Sequence, residues 1–138
     1  MRAALLVPLV CLAWACGQTF PVNLTASPAG GAPDAIACAR NKLTALGYRQ
    51  VTYDEVEFRV VSRKQDLEAH QADPSFRYNI DQIEATAAAG ADGKTAMTLQ
   101  GRTFAMRQTH RGPTEEEEAA SSGVKETAQA VLNACGKS

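Results

Sequence analysis

The most reactive side chains in this 138-residue chain are its four cysteines, Cys11, Cys16, Cys38 and Cys135. A thiol can be acylated, can ligate a metal or can close a disulfide, and spacing and compartment decide among these. No pair falls in a Cys-x-x-Cys pattern, so the usual zinc and dithiol redox motifs are missing. There is also no glycine-rich phosphate loop, no His-Glu-x-x-His and no Gly-x-Ser-x-Gly. Glu68, His70 and Asp73 are of the right types for an oxygen-and-imidazole metal site, but their stretch reads as a solvated loop. No nucleophile–base pair can be nominated. The expectation is therefore a non-enzymatic protein without cofactor or metal, with a hydrolytic enzyme as a distant alternative. The net charge of −1 argues against a nucleic-acid partner.

Cys16 has the most informative surroundings. Arg2 precedes an apolar run over residues 3–15. That run is too short for a membrane span, which needs about 20 residues, and it has the length of a signal-peptide core. Ala13-Trp14-Ala15 meets the small-x-small rule for cleavage, and Cys16-Gly17 follows directly. On these residues the chain resembles bacterial lipoproteins, whose cleavage leaves a lipidated cysteine as the first residue. Ala15-Cys16-Gly17 fits that family's pattern, whereas Ala13 and Trp14 depart from it. The alternative is a soluble secreted or periplasmic protein cut after Ala15 by ordinary signal peptidase. A eukaryotic secretory reading would rest on the sequon Asn23-Leu24-Thr25. Cysteine parity favours the lipid. Cys11 leaves with the signal, and a Cys16 thioether leaves Cys38 and Cys135 as an even pair; without it three thiols enter an oxidising compartment. Cys38 and Cys135 are then expected to form a disulfide.

The elements that would position these residues follow from periodicity. Residues 16–33 hold three prolines, three glycines and no charge, which predicts a lipidated cysteine followed by a flexible tether. Residues 34–138 are expected to form one domain. Ile36, Ala39, Leu43 and Leu46 share a helical face over 34–46, with Gly47 as C-cap. Strand-like alternation runs through Val51 and Tyr53, then Val56, Phe58 and Val60, with a turn at Asp54-Glu55. Phe76, Tyr78 and Ile80 alternate, then slip phase to Ile83, Ala85 and Ala87, which suggests a β-bulge near Asp81-Gln82. Asp92-Gly93 marks a hairpin into a last strand over 95–106, with Met97 and Leu99 inward. Thr114 to Glu117 fits a capping box, so Glu115 to Glu118 are expected in the first turn of a second helix. Val124, Ala128, Val131 and Cys135 form that helix's apolar face, and Gly136 ends it.

The expected fold class is α+β: a two-layer sandwich in the order α-β-β-β-β-α. An antiparallel meander of about four strands carries both helices on one face. If Phe58, Tyr78 and Leu99 face the helices, Arg59, Arg63, Arg77 and Arg102 face out with Glu57, Val61 and Phe104. This set is the candidate binding face, suited to an anionic lipid or glycan or an acidic protein. The competing expectation is a solvated face of mixed charge, since Glu57, Asp81 and Glu84 lie close by.

The whole layout resembles a loose group of small bacterial envelope lipoproteins of unknown function. Cys16, Cys38-Ala39, Leu46-Gly47-Tyr48 and Ala134-Cys135-Gly136 carry that resemblance. It implies a location, export with a lipid anchor in the outer membrane or on the periplasmic face, and not an activity. Separately, the domain is expected to bind or support another envelope component.

Overall fold

The computed structural model describes residues 20–137. The expected signal peptide (1–15) and the lipidation site Cys16 lie outside them. The elements are β1 (Val22–Ala26), α1 (Ala32–Ala45), β2 (Arg49–Asp54), β3 (Arg59–Asp66), β4 (Phe76–Ala89), β5 (Thr95–Thr109), β6 (Gly112–Glu118) and α2 (Ser122–Cys135).

The fold is built on the long β4–β5 hairpin. Gly93, at φ +76°, turns the chain as the Asp-Gly pair predicts. The Gly90 amide donates to the Lys94 carbonyl at 2.6 Å, and Asp92 Oδ1 accepts from the Lys94 amide at 3.0 Å. All strands join one antiparallel sheet in the order β1-β5-β4-β3-β2, with β6 also on β5. β1 pairs with residues 97–101 of β5 and β6 with residues 103–109. Since β4 occupies the other edge of β5, β1 and β6 lie end to end along one edge. The Ala120 amide donates to the Phe20 carbonyl at 2.9 Å where the two meet.

Strand alternation sends Val60, Ile83, Ala85, Ala87, Met97 and Leu99 to one face. There they pack with Ile36, Ala39 and Leu43 of α1 and Val124, Ala128 and Val131 of α2 in a single core. Cys38 and Cys135 join the two helices, with Cα atoms 5.7 Å apart. Gly47 ends the first helix at φ +85°, as its C-cap role requires.

The α+β class and both helical faces therefore match the sequence reading, while several elements differ. Among the described residues the sheet has six strands, not about four. Val22–Ala26, expected in the tether, is the edge strand β1, because Val22 and Leu24 pack against the core. Residues 112–118 form a strand and not a helical first turn; α2 starts later, capped by Ser121, whose Oγ accepts from the Val124 amide at 3.0 Å. Val56 and Phe58 lie in the β2–β3 turn, with Phe58 at φ +49°. The irregularity in β4 falls between Phe76 and Tyr78, not at Asp81. Ile80 breaks the apparent phase because it lies on the opposite face from Ile83.

Candidate functional site

The face of the sheet opposite the helices carries the expected arginines. Register places Arg59, Val61 and Arg63 on it from β3, and Ile80, Gln82 and Glu84 from β4. Gln100, Arg102, Phe104 and Met106 follow from β5, with Glu115 and Glu117 from β6. Tyr78 lies on this face too, opposite Met106, and not among the helices as expected. The face is not simply polar. Val61 is 6 % and Ile80 5 % exposed although, among the described residues, no helix covers them; neighbouring long side chains shield them.

Three arginines on this face, Arg59, Arg63 and Arg102, each meet a glutamate. Arg59 grips Glu84 with two bonds, Nε to Oε1 at 2.8 Å and Nη2 to Oε2 at 3.0 Å. Arg63 donates to both oxygens of Glu115, at 2.6 and 3.2 Å, and its guanidinium lies 5.4 Å from the Phe104 ring centroid. Arg102 reaches Glu117 at 3.2 Å and Gln100 at 3.0 Å. The hydrogen bond from Arg59 holds the Glu84 carboxyl below the usual carboxylate range. All three pairs are partly solvated, so each contributes at most about 1 kcal/mol. Arg77 stands apart. It sits at the β4 irregularity, and its Nη1 donates to the carbonyls of Pro74 and Phe76, both at 2.9 Å. The structure thus gathers Arg59, Arg63 and Arg102 as paired charges and leaves Arg77 out.

Two further clusters were not read from the sequence. Arg107, on the helix side of β5, meets Asp73 at 2.6 Å, Glu116 at 2.7 Å and Glu118 at 2.8 Å. The run Glu115–Glu118 therefore alternates between the two faces, each carboxylate meeting an arginine. Hydrogen bonds from Ser75, more than Arg107, hold Asp73 below its ordinary range. Buried Asp81 accepts from Thr103 Oγ1 at 2.7 Å and Ser121 Oγ at 2.8 Å, joining β4, β5 and the start of α2. Nearby, Tyr48 donates its hydroxyl to Thr127 Oγ1 at 3.4 Å, and burial pushes its pKa up to about 12. Ser121 Oγ faces a carboxylate already engaged with Thr103, so this cluster reads as a cap and brace.

Among the described residues, no group of three His, Cys, Asp or Glu side chains is placed to hold a metal ion. Glu68, His70 and Asp73 are not brought together; Asp73 instead bonds Ser75 and Arg107. Among the described residues no helix is long and apolar enough to cross a membrane. In comparisons with known proteins, no family model and no curated protein matches the chain.

Proposed function

We propose that this chain is an envelope lipoprotein, anchored through a lipid on Cys16, whose domain binds another envelope component through the bare face of its sheet. It is a binding or structural module and performs no catalysis. The observation that carries this reading is the composition of that face. Val61, Ile80, Phe104 and Met106 lie beneath arginine–glutamate pairs, and among the described residues no helix or strand lies above them. Such pairs hold loosely enough to exchange with a partner's charges, while the apolar groups beneath supply area to bury. The partner is another envelope protein or an anionic glycan or lipid surface. The disulfide supports the exported address, since such bonds persist in oxidising compartments.

Two measurements test the reading. Intact mass of the mature chain should show residues 1–15 removed and a diacylglyceryl group on Cys16; an unmodified, wholly soluble chain overturns the anchor. Swapping the charges within pairs, Arg59→Glu with Glu84→Arg and Arg102→Glu with Glu117→Arg, keeps each ion pair while reversing the pattern. Partner capture from envelopes should fall with little change in melting temperature. Undiminished capture by the doubly swapped protein overturns the binding face.

A further inference from the structure

We propose that the notch where β2 stops alongside β3 binds an anionic amphiphile, a phosphate or carboxylate head on an apolar tail. The inference rests on the reading of the domain as an envelope binding module, and it names a ligand class and a site at the margin of that face.

Topology creates the notch. β2 covers β3 only from Arg59 to Arg63, whereas β3 continues on β4 to Asp66. The sheet therefore steps inward by one strand. The turn at Gly47, with its positive φ, forms the corner. The resulting cleft has a volume of about 580 Å³, within the span of roughly 300–1,000 Å³ usual for small-ligand sites.

Its lining has two halves. Arg49, Arg63 and Lys64 supply positive charge, and among the described residues no carboxylate lines the cleft. Arg49 stands directly across from Arg63 on paired strands. Like charges in that position repel, and an anion between them removes the penalty. Arg63 leans toward Glu115 with its terminal nitrogens, but its Nε is buried and has no hydrogen-bond partner among the described residues. Lys64 is partly committed, donating to the Leu46 carbonyl at 3.1 Å. Arg49 has no ion pair or side-chain hydrogen bond among the described residues, so its planar fork is free for two-point contact with a phosphate or carboxylate. The other half is apolar. Val51 is 60 % exposed on the wall and Ile80 lies at the base. An inorganic anion would leave Val51 bare, and a neutral apolar ligand would leave Arg49 uncompensated. A head-and-tail anion satisfies both.

Two sources share this chemistry, a free fatty carboxylate and an anionic phospholipid. The test is calorimetric titration of the disulfide-intact domain with decanoate, with short-chain phosphatidylglycerol below its micelle threshold, with the matching phosphatidylcholine and with inorganic phosphate. Saturable binding of decanoate or phosphatidylglycerol at least tenfold tighter than phosphate and phosphatidylcholine supports the proposal, and the tighter of the two identifies the source. Arg49→Glu should weaken it at least tenfold, and Val51→Ser should weaken it severalfold. Arg111→Glu, in the distant β5–β6 turn, should leave it unchanged. Equal binding of phosphate, or no loss with Arg49→Glu in a protein of unchanged melting temperature, overturns it. The charge-swapped pairs Arg59/Glu84 and Arg102/Glu117 should bind the amphiphile normally. Failure of the notch and failure of the sheet-face reading are thereby told apart.

Discussion

Arg63 on β3 and Glu115 on β6, 52 residues apart in sequence, meet at 2.6 Å over the bare face of the sheet. β4 and β5 lie between their strands, three inter-strand steps of about 4.8 Å. The two side chains must lie along the face to touch, and their line crosses Ile80 and Phe104, which face each other on β4 and β5. The pair is thus a polar roof over apolar groups. Glu115→Gln should lower stability by less than about 1 kcal/mol, as for other solvated pairs. It should also raise the fluorescence of an apolar dye, because the roof opens while the fold persists. Unchanged dye binding would show that the pair shields nothing.

Glu84 predicts a specific acid sensitivity. The hydrogen bond from Arg59 lowers its pKa from a reference of 4.5. A carboxyl depressed in the folded state contributes stability that is present above the reference value and lost as pH falls through the folded value. Unfolding curves from neutral pH down through the acid limb should therefore be flatter for Glu84→Gln than for the parent. Parallel curves would contradict the Arg59–Glu84 coupling.

The Cys38–Cys135 bridge closes nearly the whole domain, with a sequence separation of 97. For a loop on the order of 100 residues the chain-entropy model gives about 4–5 kcal/mol. Reduction, or Cys135→Ser, should lower the melting temperature by well over ten degrees and loosen β1 and α2 first in hydrogen exchange. Two free thiols in the native protein would contradict the bridge.

Gly101 lies where β1 and α2 approach β5 most closely. A Cβ added there would meet Val22 Cγ1 at 2.8 Å and Val124 Cγ2 at 3.1 Å. Gly101→Ala should cost about 1–3 kcal/mol through overpacking, measured by urea unfolding. An unchanged midpoint would mean that β1 is not held as described.

The helices were legible because each carries a complete apolar stripe, Ile36-Ala39-Leu43 and Val124-Ala128-Val131. The β4–β5 hairpin was legible from Asp92-Gly93 and from the alternation at Met97 and Leu99. β6 was not. Four consecutive glutamates have poor strand propensity, and Thr114 with Glu117 imitates a helix cap. Arg63, Arg102 and Arg107, distant in sequence, hold that strand through charge. β1 was hidden by the prolines and glycines on either side of it, since only the edge of β5 makes it a strand. The outward set was half legible. Alternation placed Arg59, Arg63 and Arg102 correctly, but the β4 irregularity removed Arg77 and brought Tyr78 in its place. The glutamate partners could not be read without register.

The most direct test is site-specific photo-crosslinking in intact envelopes of cells expressing the full chain. A photoreactive residue is placed at Thr86 or Thr98, on the bare face, or at Gln129, on the exposed side of α2. The account predicts one discrete adduct from both Thr86 and Thr98, lost when the Arg59/Glu84 and Arg102/Glu117 charges are swapped, and none from Gln129. No adduct from the sheet positions, or an equal one from Gln129, would contradict the claim that this domain binds through the bare face of its sheet.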